Sequence, residues 1–170
     1  MLKKHWLIAT AVLLFLTAPS LAQEYPRVEL FGGYSALVAG DLNDLDHANG
    51  VGAEFAGNFN RFLGLVAEFG VHRDNDLRIY SAYAGPRLSF RGRRVTFFIH
   101  ALAGGVRAPN GGGSLTVASF AGGGGLDLNV SDNVAIRLFQ IDYTPVRQGG
   151  HWFNLYRGQT GVTFKLGRTE

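Results

Sequence analysis

The chain has no cysteine among its 170 residues, a single methionine at its start and only three lysines. The missing cysteine excludes disulfide scaffolds, thiolate metal sites, cysteine nucleophiles and lipid attachment at an N-terminal cysteine. Charged residues make up 17% of the chain, below the roughly 25% of an average soluble protein. With 46% hydrophobic residues, a disordered or highly solvated chain is excluded. Beyond Gln23 there is no run of 18 apolar residues and no helical heptad, so no helix is predicted to cross a membrane.

The first residues read as an export leader. Lys3, Lys4 and His5 form a basic start, Trp6 to Ala18 an apolar run, and Ser20 and Ala22 supply small residues before a cut ahead of Gln23. The run has 13 residues, short of the about 20 that span hydrocarbon. The expectation is a cleaved signal peptide over 1–22 and one domain over 23–170. Removing the leader leaves 14 cationic against 13 acidic residues, a net charge of +1. No basic stripe interleaved with stacking aromatics occurs, so nucleic acid is not expected as a partner.

What the mature chain has is alternation with a period of two, cut by turn residues at regular intervals. Eight segments carry it: Arg27–Val38, Asn49–Phe59, Phe62–Arg73, Arg78–Phe90, Arg94–Arg107, Leu115–Val130, Val134–Thr144 and Tyr156–Leu166. Each has about the length that a tilted strand needs to cross a bilayer, and an even number lets an antiparallel sheet close on itself. Asn60-Arg61, Arg91-Gly92-Arg93 and Ser131-Asp132-Asn133 read as tight turns. The intervening connections, Ala39–Ala48, Asp74–Leu77, Ala108–Ser114 and Pro145–Leu155, are mostly longer. Turns sorted by parity fit a chain that starts and ends on one side of a membrane.

The two faces of each segment differ. Leu63, Leu65, Ala67, Phe69 and Val71 share one face, with Gly64, Glu68, Gly70 and His72 on the other. Val95, Phe97, Ile99, Ala101 and Ala103 oppose Thr96, Phe98, His100 and Gly104. Alternation alone does not say which face points inward. Residue size does: the charged face also carries glycines such as Gly33, Gly52, Gly64, Gly70, Gly123 and Gly125, suiting a narrow eight-stranded interior. Large apolar side chains suit lipid. The expected fold is all-β, an eight-stranded antiparallel up-and-down transmembrane β-barrel. Tyr34, Phe59, Phe62, Tyr80, Phe90, Tyr143 and Phe164 near segment ends are candidates for interfacial aromatic girdles.

These residues resemble the small eight-stranded outer-membrane β-barrels, the OmpA- and OmpX-like porin fold. The resemblance is carried by Glu29-Leu30-Phe31-Gly32-Gly33-Tyr34, His100-Ala101-Leu102-Ala103-Gly104-Gly105, Phe120 to Leu128, Arg137 to Tyr143 and Gly161-Val162-Thr163-Phe164. It implies a stand-alone barrel in the outer membrane of a Gram-negative-type bacterium, reached through the periplasm. It also implies an interior polar network that plugs or gates the bore. The implied partners are outer-membrane lipid and lipopolysaccharide, with the barrel-insertion machinery during biogenesis, and a monomer is expected.

The candidate interior charges are Glu29, Glu54, Glu68, His72, Arg87, His100, Asp127, Asp142 and Lys165. Arg87 and Lys165 are expected to be bridged by carboxylates, with Glu54, Glu68 and Asp127 the candidates, because an unpaired buried ion is costly. Arg137 shares parity with Phe139, Ile141 and Tyr143, which places it facing lipid and snorkelling to headgroups, the rival being a bulge that flips the register. Asp41, Asn43, Asp44 and Asp46 read as a solvated acidic loop tip, not a calcium loop. Arg147, His151, Trp152 and Phe153 are candidate loop contacts, either to a partner or to the barrel rim. No catalytic, cofactor-binding or metal residues are assigned, and an enzyme is not expected.

The leading functional reading is an integral outer-membrane barrel with a structural, adhesive or envelope-maintenance role and a plugged interior. The alternatives are a narrow ion or small-solute channel, a lipid A-modifying hydrolase and a soluble periplasmic ligand-binding barrel.

Overall fold

The structure is a computed structural model that describes residues 25–39, 47–74, 77–110, 113–148 and 151–168. The expected leader 1–22 and the acidic tip from Asp41 to Asp46 lie outside the described residues. Ten strands follow in order: β1 (Pro26–Ala39), β2 (His47–Asn58), β3 (Leu63–Asp74), β4 (Leu77–Arg91), β5 (Val95–Asn110), β6 (Gly113–Asn129), β7 (Val134–Tyr143), β8 (Val146–Gln148), β9 (His151–Phe153) and β10 (Leu155–Arg168). Strands β1 to β7 and β10 each pair antiparallel with their neighbours, and β1 closes on β10 from Pro26↔Arg168 to Ala39↔Leu155. The result is a closed eight-stranded barrel; β8 and β9 form a small extra hairpin beside β6.

Alternation builds the wall because successive side chains on a strand point to opposite faces. In β3, Phe69 is 58% exposed on the outside whereas its neighbour Glu68 is 1% exposed inside. Ile99 is exposed on β5 while Phe98 and His100, either side of it, are buried. Most large apolar side chains therefore face outward, and the acidic groups and arginines of mid-strand, such as Glu54, Glu68, Arg87 and Asp142, face the axis. One apolar row crosses the inner wall: Ala56 pairs with Val66, Val66 with Gly85, and Leu102 with Ala121. Tyr83 packs against that row.

The ladder between β4 and β5 lapses between Ala84↔Ala103 and Arg87↔His100. Pro86, which has no N–H to donate, lies in that gap.

One rim has short turns held by local hydrogen bonds. Phe59 N–H donates to Leu63 O at 2.9 Å, and Asn60 Oδ1 accepts the N–H groups of Phe62 and Leu63 at 2.8 Å each. Such side-chain capture of nearby backbone is what asparagine brings to a turn. Gly92 N–H donates to Val95 O at 2.8 Å, and Val130 N–H to Val134 O at 3.0 Å. Phenylalanines ring this rim, with centroids 6.4 Å apart for Phe62–Phe90 and 6.2 Å for Phe90–Phe97. Tyr80, Tyr143 and Tyr156 are exposed towards the opposite rim, the last two 5.5 Å apart.

The opposite rim differs from the sequence expectation most in two places; Asp74 and Leu77, read as part of a connection, also pair at the ends of β3 and β4. Ala108–Ser114 is not a loop: β5 and β6 stay paired as far as Asn110↔Gly113, and Arg107 Nη2 donates to Ser114 Oγ at 2.7 Å across the hairpin. Pro145–Leu155 is not irregular either. It folds into β8 and β9, with Arg147 opposite Trp152, and Val146 opposite Ser119 of β6. In both cases backbone pairing along the long β6 extends the sheet beyond where the turn residues suggested it would stop.

Candidate functional site

The inner face of the barrel is filled by a polar network centred on three arginines, Arg87, Arg137 and Arg157, none more than 1% exposed. Nearest the short-turn rim, Arg91 Nη2 meets Glu29 Oε1 at 3.1 Å, and the other oxygen of Glu29 is bonded to Arg87. Arg87 Nη1 also donates to Glu54 Oε1 at 2.5 Å. Glu54 then joins Arg137, whose Nη2 lies 3.2 Å from the same oxygen. Arg137 Nε donates to Asp127 Oδ1 at 3.0 Å, and its Nη1 donates to Gln140 Oε1 at 2.5 Å.

Further along the bore, Gln140 Nε2 donates to Asp142 Oδ2 at 2.7 Å. Arg157 Nη2 reaches that same oxygen at 2.7 Å, and its Nη1 contacts Glu68. His100 Nε2 bonds Asp142 Oδ1 at 2.7 Å, and Gln159 Nε2 donates to Glu68 Oε1 at 3.0 Å. Beyond these, Ser35 Oγ and His72 Nε2 share a hydrogen bond of 2.8 Å. Lys165 donates to Asn129 Oδ1 near the short-turn rim.

Aromatic rings inside the barrel share the arginines. The Arg137 guanidinium lies 4.1 Å from the Phe31 ring centroid and 4.5 Å from that of Phe98; Arg87 also faces Phe98, and Arg157 faces Tyr83. A desolvated guanidinium gains from a ring face, so these contacts add to the ion pairs. Glycine makes the room. A Cβ at Gly125 would lie 2.7 Å from the end of the Phe98 ring, and one at Gly52 would lie 2.7 Å from Gln159 Oε1.

Arg137 corrects the sequence expectation. It does not snorkel to headgroups; it is fully buried at the centre of the network. The cause is a bulge in β7. From Gln140 to Arg137 this strand advances three residues while β10 advances two, Gln159 to Gly161. Against β6 it advances two, Phe139 to Arg137, while β6 advances one, Leu126 to Asp127. Leu138 and Phe139 are consecutively exposed, so Arg137 below them and Gln140 above them both point inward. Thr160 Oγ1 donates to the Arg137 carbonyl at 2.8 Å beside the bulge, where the ladder is interrupted.

Of the candidate interior residues, Glu29, Glu54, Glu68, His72, Arg87, His100, Asp127 and Asp142 are buried and Lys165 is half-buried. Glu54 is bonded to Arg87, whereas Glu68 and Asp127 are bonded to Arg157 and Arg137. Sequence reasoning missed Arg157, Gln140 and Gln159 as members. Arg157 shares parity with Gln159 and Thr163 on the last strand, and that signal was available. Arg147 and Phe153 are exposed on the outer hairpin; His151 and Trp152 stand opposite Gln148 and Arg147, and their side chains lie outside the described residues.

Glu68, His100 and Asp142 each bring one potential ligand atom within 4.8 Å of the others. The geometry could hold a cation, but Arg157 is already bonded to both carboxylates and compensates their charge. The Ser35–His72 pair has the atoms of a nucleophile and its base. Both residues are fully buried, and among the described residues His72 Nδ1 has no hydrogen-bond partner and no third group orients the ring.

No protein-family model matches the chain. No curated protein matches its sequence. Solved structures do match. The chain is similar to Neisserial surface protein A, with a TM-score of 0.67 at 16% identity over 85% of this chain and 99% of that one. It is similar to OprG, an outer-membrane protein of Pseudomonas aeruginosa, with a TM-score of 0.61 at 10% identity over 85% and 97% of the two chains. It is also similar to Ail, the attachment invasion locus protein of Yersinia pestis, with a TM-score of 0.57 at 20% identity over 85% and 99%. Closed antiparallel wall, outward apolar belt and matched coverage agree: the chain has the fold of the small eight-stranded outer-membrane β-barrels.

Proposed function

We propose that the protein is an integral outer-membrane barrel with a structural, adhesive or envelope-maintenance role, and that its bore is plugged and does not conduct. The observation that supports this most is the pairing of an exposed apolar belt with three fully buried arginines bonded across the bore. A soluble ligand carrier has the opposite need, apolar side chains inside and polar ones in water. In lipid, every strand must pair, and closure of β1 on β10 removes the free edges.

The short-turn rim faces the periplasm in this reading, and the rim with the longer β5–β6 hairpin faces outward. Export through the periplasm and insertion by the barrel-assembly machinery follow from that location, and the protein acts as a monomer. The outer rim carries exposed Arg73, Arg78 and Arg107 on adjoining strands, the first two paired above Tyr80 and the third opposite it. That arrangement suits the phosphates of lipopolysaccharide at the headgroup level. An adhesive role draws on the likeness to Ail and would use the exposed Arg147 and Phe153 of the outer hairpin. The protein is not an enzyme in this reading, because its Ser35–His72 pair is sealed from substrate.

Planar-bilayer recording of the refolded protein tests the plug. No current above background is expected; steady unitary currents would replace this reading with the channel.

A further inference from the structure

We infer that the mouth of the barrel at the short-turn rim binds a phosphate group. A cleft of about 200 Å³ opens there, lined by Arg61, Arg91, Arg93 and Lys165 with Asp132 as the single acid. Four cations against one carboxylate give the lining a formal charge of +3. A water molecule takes about 30 Å³ of liquid volume, so the cleft holds a tetrahedral oxyanion with part of its hydration shell.

Two of the cations, Arg91 and Lys165, are held in place by side-chain hydrogen bonds. Arg91 donates to the Arg61 carbonyl and to Glu29, which ties the turn between β2 and β3 to the end of β4. Asn129 Nδ2 donates to Gly92 O at 3.1 Å and to Arg93 O at 3.4 Å, while its Oδ1 accepts from Lys165. On two of the lining arginines, Arg61 and Arg91, the Nε is shielded from solvent and has no acceptor among the described residues. A buried donor without an acceptor is costly, and guanidinium N–H groups match phosphate oxygens in number and direction. Thr96, whose side chain faces the bore, also lines the cleft, and the Arg61 guanidinium lies 4.7 Å from the centroid of the Phe62 ring. This binding is a property of the fold and stands independently of the role proposed above.

The test uses the mature protein refolded in maltoside micelles, titrated calorimetrically with inorganic phosphate, and in a second arm with phosphatidylglycerol in mixed micelles. Saturable one-site phosphate binding is expected, weakened by about tenfold or more in the Arg61→Gln/Arg93→Gln double variant. Arg94→Gln, which removes one exposed charge from the same turn but outside the cleft lining, should leave it unchanged. Both substituted arginines of the double variant lie in turns, and a heat-shifted gel band checks that each variant is folded. Binding in the first arm assigns a soluble phosphate, and binding in the second arm alone assigns a headgroup. The inference is overturned if neither arm saturates, if Arg94→Gln weakens binding as much as the double variant, or if chloride competes at equal concentration.

Discussion

Arg137 Nε donates to Asp127 Oδ1 at 3.0 Å from a strand that carries one residue more than either neighbour. The same guanidinium bonds Glu54 and Gln140 and lies between the rings of Phe31 and Phe98. A single bulge thus gives the barrel the hub of its interior network.

Replacing that hub should be costly. Arg137→Met keeps much of the volume but leaves Asp127 without its ion-pair partner and Glu54 with Arg87 alone. Breaking a buried pair on one side costs about 3–5 kcal/mol. Urea unfolding of the barrel in lipid vesicles should show a loss of that size, whereas Arg93→Gln on the exposed turn should change the unfolding free energy by less than about 0.5 kcal/mol.

The bulge also makes an unusual deletion tolerable. Removing Leu138 leaves Arg137, Phe139 and Gln140 in strict alternation, and pairs Asp127↔Arg137 and Leu126↔Phe139 as consecutive steps. The deletion should fold and keep its heat-shifted gel mobility. Removing Leu102 from the unbulged β5 should not, because a one-residue slip turns every following side chain to the wrong face. Equal behaviour of the two deletions would contradict the register described here.

The interior tolerates little added volume. A Cβ at Gly125 meets both the Phe98 ring and the Phe139 carbonyl, each within 2.7 Å, whereas one at Gly122 meets nothing within 4 Å. Gly125→Val should destabilise by about 1–3 kcal/mol, as overpacking does. Gly122→Ala should be near neutral in the same unfolding experiment.

Phe69 stands midway along β3 on the outer face. Phe69→Arg puts a charge against hydrocarbon and should cost about 2–4 kcal/mol in vesicles. In detergent micelles, which admit water more readily, the cost should shrink. A change below about 0.5 kcal/mol in vesicles would be the behaviour of an ordinary exposed position.

The wall was legible in the sequence because period-two alternation is a local signal. Leu65, Phe69, Phe97 and Ile99 face outward, and Glu68, Phe98 and His100 face inward, as their parity indicates. The bulge was not legible from parity counted along β7, because one extra residue reverses the faces without changing composition. Its trace is the spacing of Arg137, Gln140 and Asp142, with the apolar pair Leu138-Phe139 between the first two. Partner choice lies beyond local reading altogether: Arg87 and Glu54 are 33 residues apart, Arg137 and Glu54 are 83 apart. Their meeting depends on barrel register. The β8–β9 hairpin was obscured by Pro145 and the glycine pair at 149–150, turn residues that mark a loop and equally a short hairpin within one.

The central claim is that the apolar face meets lipid, and tryptophan quenching measures it directly. Residues 23–170 carry Trp152 alone, so Phe69→Trp in a Trp152→Phe background of that segment places one indole on the outer face of β3. After refolding into vesicles with brominated acyl chains, its fluorescence should be strongly quenched and insensitive to aqueous acrylamide. Quenching by acrylamide with no effect of the brominated lipid would put that face in water and contradict the account.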